Sequence, residues 1–347
     1  MKMKQSLVIL AAVFCLANAA SASNPDAGKS GYTFLKVGVS AKAQGMGGAY
    51  AGLADDLSGL YHNPAGIVMP TYIFTKRESR IDYGFEEEDE ETKTEIDYEV
   101  STLQPAKNRF MATYMNYLLD FKTGYLGYAR LLDQATAIGV SLHYMNYGDF
   151  DRLDSQGNQN GTFGAHDIAI GLTYAKVLLK GFSGGFTGKF ISEKIDSYSS
   201  SAIAADIGIQ YRFGGGRSGL GLAITNAGVQ TKGFSKSHKD PLPVTIDAGF
   251  SHVLKGLPLT IAVDLIKPSD NAASLAIGGQ FNALSPLMLR LGWSSAGSDF
   301  KTGSGRDNLA GFAGGFGYSY QKYVFDYSYS SYADLGNVHR LTLGVNF

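Results

Sequence analysis

The strongest constraint on this chain is an alternation of apolar and polar side chains with a period of two. Over His339–Phe347 it is strict: Leu341, Leu343, Val345 and Phe347 share one face, and Arg340, Thr342, Gly344 and Asn346 share the other. The same period recurs at Leu287–Ser294, Leu259–Leu265, Ile207–Phe213 and Asp167–Tyr174. A strand takes this pattern where one face meets an apolar medium and the other meets water. From Phe110 onward fourteen such segments can be counted, starting near 110, 123, 137, 165, 183, 204, 219, 244, 259, 273, 287, 308, 323 and 339. Most run about 9–12 residues, close to what a tilted strand needs to cross a bilayer.

A soluble sandwich or propeller also alternates, because it too has one core face. Strand length, the even strand count and the ending on Phe347 favour a membrane barrel instead. Connections alternate in length, as in outer-membrane barrels: Gly214–Gly216 and Gln321–Lys322 are short, whereas 149–164, 229–243 and 298–307 are long and polar. Composition agrees. Gly is 44 of 347 residues, Tyr 21 and Phe 20, which is too aromatic for a disordered chain. No apolar run reaches the roughly 20 residues of a spanning helix. A net charge of −1 lacks the basic excess that nucleic-acid binding uses. The expected fold is therefore all-β, a fourteen-stranded antiparallel transmembrane barrel over 108–347. Its expected inner face carries Asp167, Asp206, Arg212, Asp247, Asp264, Arg290, Asp326 and Arg340. Both ends of the mature chain are expected on the short-turn side.

Lys2 and Lys4 precede an apolar run, Leu7–Ala17, and then Ala20-Ser21-Ala22. This reads as a cleaved signal peptide over 1–22 and sends the chain to the outer membrane of a Gram-negative-type envelope. Cys15 falls within it, so the mature chain has no thiol chemistry and no disulfide. Outer-membrane lipids and the assembly machinery are the expected partners, with Phe347 as the assembly signal.

Residues 23–70 precede the barrel and supply a hatch. Small residues at Gly45, Gly47, Gly48 and Ala49 permit close backbone packing, and Asn63-Pro64-Ala65-Gly66 reads as a turn. Taken alone, this is a loop, helix and turn lying over a core. The blocks Phe34-Leu35, Gly45-Met46-Gly47-Gly48-Ala49, Ala54-Asp55-Asp56 and Asn63-Pro64-Ala65-Gly66 occur in the order and spacing of the PorV/PorQ family, relatives of the FadL long-chain fatty-acid transporters. The chain resembles that family along nearly its whole mature length, through Tyr147-Gly148-Asp149, Lys267-Pro268-Ser269-Asp270 and Asp334-Leu335-Gly336. The resemblance implies a hatch formed by Gly45, Met46, Gly47, Gly48, Asp55, Asp56, Asn63, Pro64, Ala65 and Gly66, with Asn63 and the two aspartates bonded to the wall. His62 stands where the family most often has Trp, and 71–107 reads as an insertion.

Arg77–Glu99 holds eleven acids and three bases, among them Glu86–Glu91. It reads as a solvated hairpin arm or as a calcium or partner site, although no EF-hand spacing is present. The six histidines lie in no nucleophile or zinc motif, so neither an enzyme, a resident metal nor a cofactor is expected. Two functions remain. The resemblance implies acceptance of secreted cargo beside a type IX-like secretion translocon, with Phe234 and Phe300 as candidate loop anchors. The alternative is passage of a hydrophobic small molecule, as in the FadL relatives. The charged inner face offers no greasy corridor, which puts the cargo role first.

Overall fold

The computed structural model describes residues 28–69, 72–82, 95–284, 286–303 and 305–347. The expected signal peptide and the acidic run at 86–91 lie outside them. Sixteen strands are present among the described residues. β1 (Tyr72–Asp82) and β2 (Glu95–Pro105) pair only with each other, as an antiparallel hairpin from Tyr72↔Pro105 to Asp82↔Glu95.

The other fourteen close into one antiparallel barrel. They are β3 (Asn108–Asn116), β4 (Lys122–Leu131), β5 (Thr136–Leu153), β6 (Gln159–Leu179), β7 (Phe182–Ile195), β8 (Tyr198–Phe213) and β9 (Ser218–Lys232). Then follow β10 (Thr245–Val253), β11 (Leu259–Pro268), β12 (Ser274–Leu284), β13 (Leu287–Ser294), β14 (Phe312–Tyr320), β15 (Tyr323–Ser331) and β16 (Asn337–Asn346). Closure joins the last strand to the first, from His339↔Asn116 to Asn346↔Arg109. Each strand pairs with its chain neighbours and the last with the first, so the ring has no free edge strand, the condition for crossing lipid with strands.

The alternation sorts side chains as the period requires. Leu289, Leu291, Leu341 and Leu343 point outward and are exposed, a surface only lipid can cover. Tyr128, Phe213, Tyr320 and Tyr323 ring the short-turn end, where amphipathic rings sit at a headgroup boundary. The inward set Asp167, Asp206, Asp247, Asp264, Arg290, Asp326 and Arg340 is buried, and Arg212 is half-buried.

Two expectations require correction. The segment 149–164 is not a loop: β5 and β6 continue through it, pairing Asp149↔Gly164 and Phe150↔Phe163 up to Leu153↔Gln159. A register shift between Asn146 and Gly148 interrupts the alternation there. Above the bilayer both faces meet water, so the period carries no signal. Nor do the described ends share one side. The Phe347 N–H bonds to Asn108 at the short-turn end, whereas the Gly31 N–H donates to the Pro241 carbonyl (3.1 Å) in the long connection after β9. The hatch therefore runs through the lumen from one mouth to the other.

A candidate vestibule above a seated hatch

The hatch is built from short turns because its sequence is small and polar. Ser40 caps α1 (Ala41–Gly45), its Oγ accepting from the Ala43 N–H. A second turn, α2 (Gly59–His62), leads into Asn63, whose Oδ1 accepts from the Ala65 N–H with Pro64 at the first helical position. This is the helix start an Asn-Pro pair favours. The Asn63 amide then donates to the Ala51 carbonyl (3.1 Å) and across to the Ile209 carbonyl of β8 (3.2 Å). A Cβ on Gly66 would lie 2.5 Å from the Ala54 carbonyl oxygen, so Gly66 lets the two hatch segments touch.

Gly47 has φ +70°, and a Cβ there would lie 2.5 Å from the Trp293 nitrogen of β13. The hatch thus lies directly on the wall backbone, with Met46 fully buried beside Ala262 and Ala276. Gly52 makes the same approach to Gly249 of β10.

The wall holds the hatch by charged groups aimed at its backbone. Asp264 Oδ2 accepts from the Tyr50 and Ala51 N–H groups, both at 2.6 Å. Arg340 Nε donates to the Gly38 carbonyl (2.8 Å), Arg212 to Leu53, and Arg109 to Ile67 and Met69. Charged hydrogen bonds of this kind are each worth about 1.5–3 kcal/mol. Arg109 lies one residue before the first outward apolar residue of β3, Phe110, and shares the inward face with Met111, so the same period marks it.

Asp55 and Asp56 bond within the hatch, not to the wall as expected. Lys42 Nζ reaches Asp55 at 2.6 Å and Asp56 at 3.3 Å, while Asp56 Oδ1 accepts from Tyr50 Oη (2.5 Å) and the Ser58 N–H (2.7 Å). Burial alone would raise the Asp56 pKa, but Lys42 and these bonds outweigh it and hold the carboxyl below the ordinary carboxylate range. His62 packs between Tyr50 and Tyr61, with ring centroids 5.1 and 4.8 Å away. Burial lowers its pKa to about 4, with Asp56 opposing and Arg340 reinforcing the shift, so the ring is neutral at physiological pH.

Above this floor, at the long-loop mouth, lies a cavity of about 590 Å³. Tyr117, Phe121, Tyr147, Phe300 and Tyr332 rim it. Phe121 meets Tyr147 edge-on at 5.0 Å, and Phe300 meets Tyr332 at 4.9 Å. Neither proposed loop anchor is fully exposed: Phe300 is half-buried and turned into this vestibule, and Phe234 is half-buried in the connection after β9. Of the rim aromatics, Tyr147 and Phe300 stand in segments the sequence marks, whereas Tyr117, Phe121 and Tyr332 lie in connections where no period marks them. Phe347 lies at the opposite end.

No protein family and no curated protein matches the chain by sequence. By fold it is similar to solved outer-membrane barrels. The Ralstonia pickettii toluene transporter TbuX superposes with a TM-score of 0.53 at 12% identity, over 88% of this chain and 97% of that one. The Pseudomonas putida toluene transporter TodX gives 0.54 at 9% identity, over 89% and 98%. A Pseudomonas aeruginosa FadL homologue gives 0.50 at 12% identity, over 89% and 98%. The fold is that of the FadL-like outer-membrane barrels.

Proposed function

We propose that this chain takes up small solutes across the outer membrane, with the vestibule as the entry site and the hatch as the barrier beneath it. Residues 1–22 serve as its export signal. The observation that carries the reading is the cavity of about 590 Å³, rimmed by aromatics at one mouth and floored by residues of the hatch. A volume in this range suits an organic molecule of a few rings. The fold neighbours described as toluene transporters support the same reading. The test is solute uptake by a deletion strain complemented with wild type or with Ala296→Trp, which places an indole in the cavity. Uptake should fall while the barrel stays heat-modifiable in gels; uptake equal to wild type would end this reading. Removing residues 31–69 should raise conductance in planar bilayers.

A cargo-accepting role beside a type IX-like translocon is the second reading, favoured by the order and spacing of the hatch blocks. Phe300 faces the vestibule, so Phe234→Ala is the cleaner probe. It should impair surface-protein secretion and spare uptake if that role is the physiological one.

A further inference from the structure

Toward the long-loop mouth, four adjacent strands arrange their outward side chains in chemically distinct rows. The register Ile170↔Phe190, Phe190↔Ile203 and Ile203↔Val229 carries one row across β6, β7, β8 and β9. All four side chains are exposed, so this row belongs among acyl chains. Two residues nearer the mouth, the same face changes to hydroxyls. Ser192 stands opposite Ser201, whose Oγ lies 3.0 Å from Thr231 Oγ1. Two residues further it changes to nitrogen: His166 stands opposite Lys194, and Lys194 opposite Ser199. Lys232 joins this level from β9, its Nζ donating to Ser199 Oγ at 2.7 Å. At about 3.3 Å per residue, the apolar and nitrogen rows are roughly 13 Å apart.

The two lysines flanking Ser199 are exposed and, among the described residues, neither is in an ion pair. Acids in the flanking connections are already taken: Asp196 by Arg152 at 2.7 Å and Asp240 by His238 at 3.1 Å. Ammonium groups at a bilayer surface attract anionic headgroups, and each offers three donors. The rows end at a step in the wall. β10 pairs with β9 only as far as Thr245↔Thr225, and above it an open cleft is lined by Val229, Thr231, Lys239 and Pro241. Apolar, then hydroxyl, then ammonium is the order in which an acylated sugar phosphate presents its chains, its ring and its charge. A glycerophospholipid has no sugar to set between chain and phosphate.

We propose that the outward face of β6–β9 binds a phosphorylated, acylated sugar of the surrounding leaflet. Its chains lie on the Phe190 row, its sugar beside Ser201 and Thr231, and its phosphates on Lys194 and Lys232. The site is separate from the vestibule and independent of the solute that enters there. The test is native mass spectrometry of the full chain in mixed micelles. The titrants are diphosphoryl lipid A, lipid A lacking both phosphates, and phosphatidylglycerol. Diphosphoryl lipid A should bind at least about tenfold more tightly than either other lipid. Lys194→Gln with Lys232→Gln should weaken it about tenfold and leave the phosphate-free lipid unchanged. The matched change in the short turns, Lys255→Gln with Lys322→Gln, should leave all three affinities at wild-type values. Gel heat-modifiability shows that both variants fold. Wild-type affinity for diphosphoryl lipid A in the first variant would overturn the proposal. So would an equal loss in the second, or phosphatidylglycerol binding as tightly, since either reduces the site to general attraction between charges.

Discussion

Gly52 shows how little room separates hatch from wall. A Cβ at this position would lie 2.7 Å from the Gly249 carbonyl on β10. Gly52→Ala should therefore lift the hatch and cost about 1–3 kcal/mol, the usual penalty of overpacking. Faster trypsin cleavage within 28–69 is the measurement. His62 supplies a pH term. Its pKa is about 4 when buried against an ordinary value near 6.5, so the neutral ring favours the docked hatch above pH 6.5. That contribution is lost as pH falls from 6.5 toward 4. Asp56 adds a second loss at lower pH, because its depressed carboxyl also favours the docked state when ionised. Trypsin resistance of the hatch should fall across the upper window in wild type and stay flat there in His62→Phe. The inward set of charges was legible residue by residue, because each lies between outward apolar neighbours. The pairing of Lys42 with Asp55 was not, since nothing in a thirteen-residue spacing shows two segments folding face to face.

The strands were the most legible elements. Expected starts near 110, 123, 137, 219, 259, 287 and 323 fall within two residues of β3, β4, β5, β9, β11, β13 and β15. Lipid on one face and packed lumen on the other impose the period along each of them. The starts expected near 165 and 204 fall six residues late, because β6 and β8 begin at Gln159 and Tyr198. The β1–β2 hairpin stands apart from the barrel sheet and pairs with no wall strand. Its flanks meet at the short-turn end, where Arg109 donates to the Met69 carbonyl at 3.2 Å. Replacing residues 72–105 with a short Gly-Ser linker should leave heat-modifiability and solute uptake unchanged. A barrel that no longer assembles would show that the hairpin takes part in closure.

At the scale of the whole molecule, the two mouths are unequal. β5–β9 run 14 to 21 residues, whereas β10–β16 run 8 to 11, so one side of the wall stands taller above the long loops. The exposed Lys29 lies at that mouth and the turn residue Lys255 at the other. In intact cells, a membrane-impermeant maleimide should label Lys29→Cys at once and Lys255→Cys only after the envelope is opened. The reverse pattern would invert the orientation. One consequence concerns order in time. A segment that precedes the wall in the chain, yet runs through its lumen from mouth to mouth, would have to thread a closely packed lumen if β16 had already zipped onto β3. The expected order is a ring drawn shut around a strap already in place. A ring that seals early is committed, and a separate 28–69 peptide added afterwards should not restore the low conductance of a hatchless barrel.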